Sequence, residues 1–366
     1  MSAVSAAPRS RSAIERVLFV GLGGVGQRHL RNVRALLGSE VPIDAYRVRR
    51  ERMLLDDQLR VVSGDVEERH RVTVFDDLER ALARRPDVVF VTNPSSLHVP
   101  VALAAVRAGA DVFIEKPLSH TLDDVVLLSE ELDRRGAIGF VAYQLRRHPG
   151  FKRVRERLAE GAIGTPLSAR AEVGEYLPGF HPYEDYRRMY AARRDLGGGV
   201  TLSQIHEIDL LYALFGMPRR VFSMGGKLSR LEVDVDDLSA SVLEFEGPSG
   251  GPLIAELHQD FFQRPPSRTL RVVGDEGRLE WSLSEKTFTR WDPSGARVEF
   301  EDYADFPRNA AFLEELSYFF ECVEQRRLPD VDVRAGAASL KVALALLDSQ
   351  RTGRAIANEP EENTWR

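Results

Sequence analysis

The segment that most restricts this chain is the run Val17-Leu18-Phe19-Val20-Gly21-Leu22-Gly23-Gly24-Val25-Gly26. A short apolar stretch enters a turn with three spaced glycines. Residues 27–37 follow, with Leu30, Val33, Leu36 and Leu37 on one side of a helix. Strand, glycine turn and helix in that order are the context in which G-x-G-x-x-G carries information. Gly21 permits the tight turn, Gly23 lets the backbone approach a pyrophosphate, and Gly26 lets helix and strand pack closely. The helix start, with Gly24 and Val25, offers free N–H groups and a positive dipole end to an anion. The segment therefore reads as a dinucleotide site at one end of a doubly wound parallel sheet.

The rest of the N-terminal half alternates as such a sheet requires. Residues 43–48, 71–75, 87–91, 112–114 and 137–143 read as strands, and residues 77–84, 99–108 and 122–135 as helices. Ligands of these sheets bind at the carboxyl ends of strands. Asn93, Pro94, Ser95 and His98, then Glu115 and Lys116, then Gln144 occupy or follow those ends, and are the further candidate cofactor residues. Strand two runs into Ala45-Tyr46-Arg47-Val48-Arg49-Arg50. An NAD-selective site puts an acid there, on the ribose hydroxyls. None is present, and Arg47, Arg49 and Arg50 suit a 2′-phosphate, so the expected cofactor is NAD(P), with a lean to NADP.

Lys116 stands out by composition. Of 50 Lys and Arg residues only five are Lys, at 116, 152, 227, 286 and 341. Arginine keeps its proton near neutral pH, whereas a desolvated lysine can release it. A lysine between Glu115 and Pro117 at a strand end reads as a proton-transfer group. The 366 residues imply two domains. A net charge of −6 and a pI near 5.9 argue against a nucleic-acid partner. The single cysteine, Cys322, excludes an intrachain disulfide and a cysteine-based zinc site, and lies in an apolar helical stripe as a packed thiol. No metal site is expected. No apolar run is long enough to span a bilayer. Residues 1–13 read as a flexible tail without an apolar signal segment, and the expected address is cytoplasmic.

Gly21-Leu22-Gly23-Gly24-Val25-Gly26, the Asn93-Pro94…His98 loop, Glu115-Lys116-Pro117 and Gly197-Gly198-Gly199…His206-Glu207-Ile208-Asp209 come in an order and spacing that resemble the Gfo/Idh/MocA family of nicotinamide-dependent oxidoreductases. The resemblance covers nearly the whole chain after the tail. It implies a Rossmann domain, set here at residues 14–148, and a C-terminal α/β domain, residues 149–366, with a large, open, mostly antiparallel sheet. Strand patterns at 167–176, 220–228, 238–245, 253–261, 269–273 and 278–281, with helices at 201–215, 312–324 and 333–347, agree. A sheet with so few covering helices needs its other face buried, so a homodimer or homotetramer through it is expected.

What the resemblance implies for function is hydride transfer between the nicotinamide and a secondary alcohol or ketone of a sugar, amino sugar, nucleotide sugar or cyclitol. Lys116 then contacts cofactor and substrate, and His206 is the proton partner, with Asp209 one turn on to orient it. Many relatives carry an aspartate three or four residues before this histidine, where this chain has Ser203 and Leu202. Ser203 is a candidate hydrogen-bonding replacement. Arg146 and Tyr176 are the remaining candidate substrate contacts. A dinucleotide-binding regulator without turnover, and a glycosidase that uses NAD transiently, are the alternative readings.

Overall fold

The computed structural model describes residues 14–48 and 53–358. The expected N-terminal tail, and Arg49 and Arg50, lie outside them. The elements of the first half are β1 (Val17–Val20), α1 (Gly24–Leu37), β2 (Ile43–Tyr46), β3 (Met53–Leu55), β4 (Val61–Asp65), α2 (Val66–His70), β5 (Val72–Phe75), α3 (Leu78–Leu82), β6 (Val88–Val91), α4 (His98–Arg107), β7 (Asp111–Glu115), α5 (Val125–Arg135) and β8 (Gly139–Ala142). Then come α6 (Pro149–Ala159), β9 (Pro166–Gly174), α7 (Val200–Ser203), α8 (His206–Phe215), β10 (Arg220–Gly226), β11 (Leu238–Glu246), β12 (Pro252–Asp260), β13 (Ser267–Gly274), β14 (Gly277–Ser282), β15 (Thr287–Trp291), β16 (Arg297–Asp302), α9 (Ala310–Gln325), α10 (Val333–Thr352) and β17 (Ile356–Ala357). Two compact units result. The first takes the chain to Leu118, then Leu122–Ala142 and Phe312–Ala335; the second takes Ser119–Thr121, Tyr143–Ala311 and the chain from Gly336.

The first unit holds a parallel sheet in the order β5-β2-β1-β6-β7-β8. Its registers set Phe19, Phe90, Phe113 and Phe140 side by side on four neighbouring strands. Successive ring centroids lie 4.6, 5.0 and 5.4 Å apart. All four rings are fully buried, and each contributes about 2 to 3 kcal/mol by leaving water. Phe319 of α9 closes this row, 5.4 Å from Phe113 and 5.7 Å from Phe140. That contact explains why a helix so far along the chain belongs to the first unit. Two features of this unit are not evident from the sequence: α2, and before it the β3–β4 hairpin, which follows β2. The buried Gln27 of α1 holds it, donating to Met53 O at 2.8 Å and accepting from Leu55 N at 2.9 Å.

In the second unit the sheet order is β16-β15-β14-β13-β9-β12-β11-β10-β17. All neighbours are antiparallel except β9 and β12, which run parallel. The expected meander holds from β13 to β16 and is interrupted where β9 enters between β13 and β12. Strands β15, β16 and β17 were not anticipated. Period-two alternation buries one face and exposes the other, as in β10, where Val221 is 1% exposed and Met224 66%. The helix expected over residues 201–215 is broken. Gln204 leaves the helical region (φ −103°, ψ 38°), and its carbonyl accepts from Gln259 Nε2 at 2.7 Å.

Candidate active site

In the first unit the glycine turn is shaped by its own packing. Gly21 has φ +98°, and a Cβ there would lie 2.9 Å from Thr92 O. A Cβ on Gly26 would lie 2.5 Å from Gly21 O, whereas one on Gly23 would meet nothing within 4 Å. Two of the three glycines are therefore required by the protein itself, and Gly23 leaves open space over the start of α1. No side chain caps that helix, so the N–H groups of its first turn, at Gly24 and Val25, face this opening unclaimed by a cap. Thr92, which the sequence did not single out, donates from Oγ1 to Gly21 O at 2.7 Å and so ties the turn to the end of β6. Asn93 follows, and its buried Oδ1 has no hydrogen-bond partner among the described residues. A bare acceptor beside a glycine turn and a free helix start fit a pyrophosphate-containing dinucleotide.

The remaining candidates of this unit, Arg47 apart, lie at the ends of β6 and β7. His98 opens α4 after the Pro94-Ser95 turn. Its Nδ1 lies 2.8 Å from Pro117 O and its Nε2 2.8 Å from Asn93 O, so one ring bridges both candidate loops. Burial, the largest influence, pushes its pKa below 6.5 against the pull of the two carbonyls and Glu115. Lys116 is partly buried. Glu115 accepts from Lys116 N through Oε2 at 3.1 Å and from His29 Nε2 through Oε1 at 2.7 Å. Burial alone would raise the Glu115 carboxyl. The His29 hydrogen bond and the neighbouring positive charge outweigh it and hold the group below the usual glutamate value. Arg47 follows β2 and pairs with Glu67 at 2.9 Å.

The second unit carries the other candidates. His206 is the first residue of α8, 4% exposed, with its ring edge-on to Tyr143 at 5.7 Å. Ser203 ends α7 and is equally buried. Gln144 begins the short 3-10 turn that also holds Arg146. Arg146 forks onto Asp209, Nε to Oδ2 at 2.7 Å and Nη2 to Oδ1 at 2.6 Å. Ser339 donates to the same Oδ1 at 2.9 Å. Asp209 thus takes a guanidinium as its counter-ion, which i, i+3 spacing from His206 does not reveal. Tyr176 lies under Arg264, whose guanidinium carbon is 4.0 Å from the ring centroid. Two of the three glycines before α7 have packing reasons: a Cβ on Gly198 would sit 2.2 Å from Tyr190 O, and one on Gly199, at φ +109°, 2.1 Å from Asp236 Oδ1. Asp236 holds the first turn of α7 through Thr201 N and Oγ1, at 3.0 and 2.6 Å. Burial pushes its carboxyl above the usual aspartate value. Nothing in the sequence marks Asp236, because its partner lies 35 residues away.

Comparison with known proteins gives two family matches. The family model described as "Oxidoreductase family, NAD-binding Rossmann fold" matches residues 15–143, and that described as "GFO/IDH/MocA C-terminal domain" matches residues 151–280. A 1,5-anhydro-D-fructose reductase of Ensifer adhaerens is 30% identical over 279 residues, 75% of this chain and 80% of the relative. A myo-inositol 2-dehydrogenase of Thermotoga maritima is 25% identical over 349 residues, 94% of this chain and 98% of the relative. Among solved structures, a levoglucosan dehydrogenase in complex with NADH and levoglucosan superposes with a TM-score of 0.77 at 18% identity, covering 94% of this chain and 99% of the other. That last likeness is one of fold.

Proposed function

Because this chain belongs to the Gfo/Idh/MocA family of oxidoreductases, we propose that it transfers a hydride between NAD(P) and a secondary alcohol or ketone of a sugar, amino sugar, nucleotide sugar or cyclitol. The observation that carries this reading is the glycine turn in which Gly23 alone opens on free space at the head of α1. The pyrophosphate is held by the N–H groups of Gly23, Gly24 and Val25, with Asn93, Pro94, Ser95, His98, Glu115 and Gln144 as further candidate contacts. When bound, the nicotinamide supplies the hydride acceptor or donor. The chain's own task is the proton. Lys116 and His206 exchange it with the reacting hydroxyl, and Ser203 contributes a hydroxyl where many relatives have a carboxylate. Arg146 and Tyr176 belong to the substrate-binding set, Arg146 by orienting α8 through Asp209.

The lean to NADP rests on the lack of an acid in residues 45–50; Arg47 itself pairs with Glu67 at 2.9 Å, so a 2′-phosphate would compete with that carboxylate for it. Association of copies through the exposed face of the nine-stranded sheet is supported by Phe222, Met224, Val242 and Ile254, 37 to 66% exposed; Phe222 and Val242 are direct cross-strand neighbours. No helix among the described residues is long and apolar enough to cross a membrane, and a cytoplasmic address is part of the reading. The test is a panel of sugars, keto-sugars and sugar nucleotides with NAD(H) and NADP(H), followed by nicotinamide absorbance. Turnover of a sugar-type alcohol or ketone supports the proposal. Tight dinucleotide binding without turnover indicates a regulator, and glycoside cleavage without net absorbance change indicates hydrolysis.

A further inference from the structure

The buried face of the second unit's sheet changes character at one end. Ala255, Ala169 and Val272 are neighbours across β12, β9 and β13, and so are Leu257, Ala171 and Leu270. All six are buried and apolar. The next row on that face is Gln259, Val173 and Arg268, since side chains two residues apart on a strand share a face. The break between α7 and α8 meets both polar ends of this row. Gln259 Nε2 donates to Gln204 O at 2.7 Å, and Arg268 pairs with Glu207 at 2.9 Å. The row and its two helical partners thus bring together two amides and one ion pair, with no net formal charge.

The amides are left incomplete. Gln204 is 2% exposed and Gln259 is fully buried. Neither Nε2 nor Oε1 of Gln204 has a hydrogen-bond partner among the described residues, and Gln259 Oε1 has none either. Burying an amide without partners is costly, and an apolar side chain of similar length would avoid that cost. Native interiors pair such atoms, so three unpaired ones at a single break, beside Ser203 and two residues before His206, call for a polar ligand. An amide presents a donor and an acceptor together, which a hydroxyl answers with its own hydrogen and lone pairs. A carboxylate or phosphate would bring acceptors alone against the two Oε1 atoms, and Arg268 already has its anion in Glu207. We propose that Gln204 and Gln259 form a substrate subsite that reads a neutral hydroxyl other than the reacting one, and so favour a sugar or cyclitol that is uncharged there. The proposal rests on the reading of this chain as a sugar or cyclitol oxidoreductase and adds which members of that class it takes.

The test measures binding apart from turnover. Full-length protein saturated with NADH or NADPH is titrated calorimetrically with 1,5-anhydro-D-glucitol, methyl β-D-glucoside and myo-inositol, with their monodeoxy analogues, and with methyl β-D-glucuronoside and myo-inositol phosphate. No hydride passes between a reduced nicotinamide and an alcohol, so each titration reads affinity alone. At least one uncharged polyol should bind more tightly than the anionic compounds, and one of its monodeoxy analogues should bind about tenfold more weakly. In Gln204→Met the parent polyol should lose that same factor, and the analogue should lose nothing further. The Gln204 amide has no protein hydrogen bond to give up, so the denaturation midpoint without sugar should hold or rise in Gln204→Met and Gln204→Leu. A midpoint clearly lowered in both variants would make the amide a structural group and overturn the proposal. So would the absence of any bound polyol, tighter binding of the anionic compounds, or unchanged polyol affinity in Gln204→Met, the result expected if the amides hold only water. Polyols that bind through Gln204 in a protein that converts none of them with NAD or NADP would keep the subsite and remove the oxidoreductase reading instead.

Discussion

Two buried carboxylates, one in each unit, stand close in sequence to the two candidate proton-transfer groups, and they are held in opposite ways. Glu115 of the first unit is bonded by an imidazole and by the backbone of its own neighbour. Asp209 of the second is gripped by the fork of Arg146 and by Ser339, 63 and 130 residues away. Glu115 can escape a lost partner by taking up a proton. Arg146 has no such escape, since a guanidinium stays charged. The first arrangement ties α1 to the end of β7, and the second fixes a helix that begins with His206.

The largest expected effect follows from that asymmetry. Asp209→Ala removes the carboxylate gripped by a guanidinium side chain that is 10% exposed and should cost about 3 to 5 kcal/mol, read as a lowered denaturation midpoint. His29→Leu should cost clearly less, because Glu115 neutralises. Equal losses would erase the contrast. Next come the glycines. Gly26→Ala forces a Cβ to within 2.5 Å of a backbone oxygen and should cost about 1 to 3 kcal/mol. Gly23→Ala meets no protein atom within 4 Å, so its midpoint should hold while dinucleotide affinity, read by NADH fluorescence titration, falls. A Gly23→Ala protein with unchanged affinity would remove the glycine turn from cofactor binding.

How far the chain could be read in advance divides along the same line. Gly21, Gly23, Gly26, Asn93, His98, Glu115 and Lys116 lie at strand ends of a parallel sheet, where chain order and site order coincide, and the sequence displays them. His29 sits on the helix that follows the glycine turn and carries no such signal, because an isolated histidine in an apolar stripe has no pattern of its own. In the second unit the informative contacts are Arg146 with Asp209, Thr201 with Asp236 and Gln259 with Gln204. Each joins segments tens of residues apart, so local periodicity is silent about them. The break between α7 and α8 went unseen for that reason: the helical pattern runs through Gln204, and the bond that interrupts it comes from β12.

A smaller effect separates the units by pH and salt. His70 in the first unit and His148 in the second are both pushed down to about 4 from 6.5. Each is neutral when folded, so its stabilising contribution is complete above pH 6.5 and drains away as the pH falls towards 4. His148 shows why in its geometry, since only a neutral Nδ1 can accept the Gly150 N–H at 3.0 Å that caps α6. Burial alone lowers His148, whereas burial and then Arg31, Arg34 and Arg69 lower His70. Raising salt should relieve the arginine part only. In NMR titrations the His70 midpoint should rise with salt while that of His148 stays put; parallel movement of the two would contradict the assigned causes.

The central claim meets its most direct test in Lys116→Ala, with turnover and dinucleotide affinity measured on the same preparation, using a substrate that the unsubstituted protein converts. Turnover should fall at least about a hundredfold, with dinucleotide affinity kept within about tenfold, roughly 1.4 kcal/mol. A variant that turns over at the original rate would show that the proton leaves by another group.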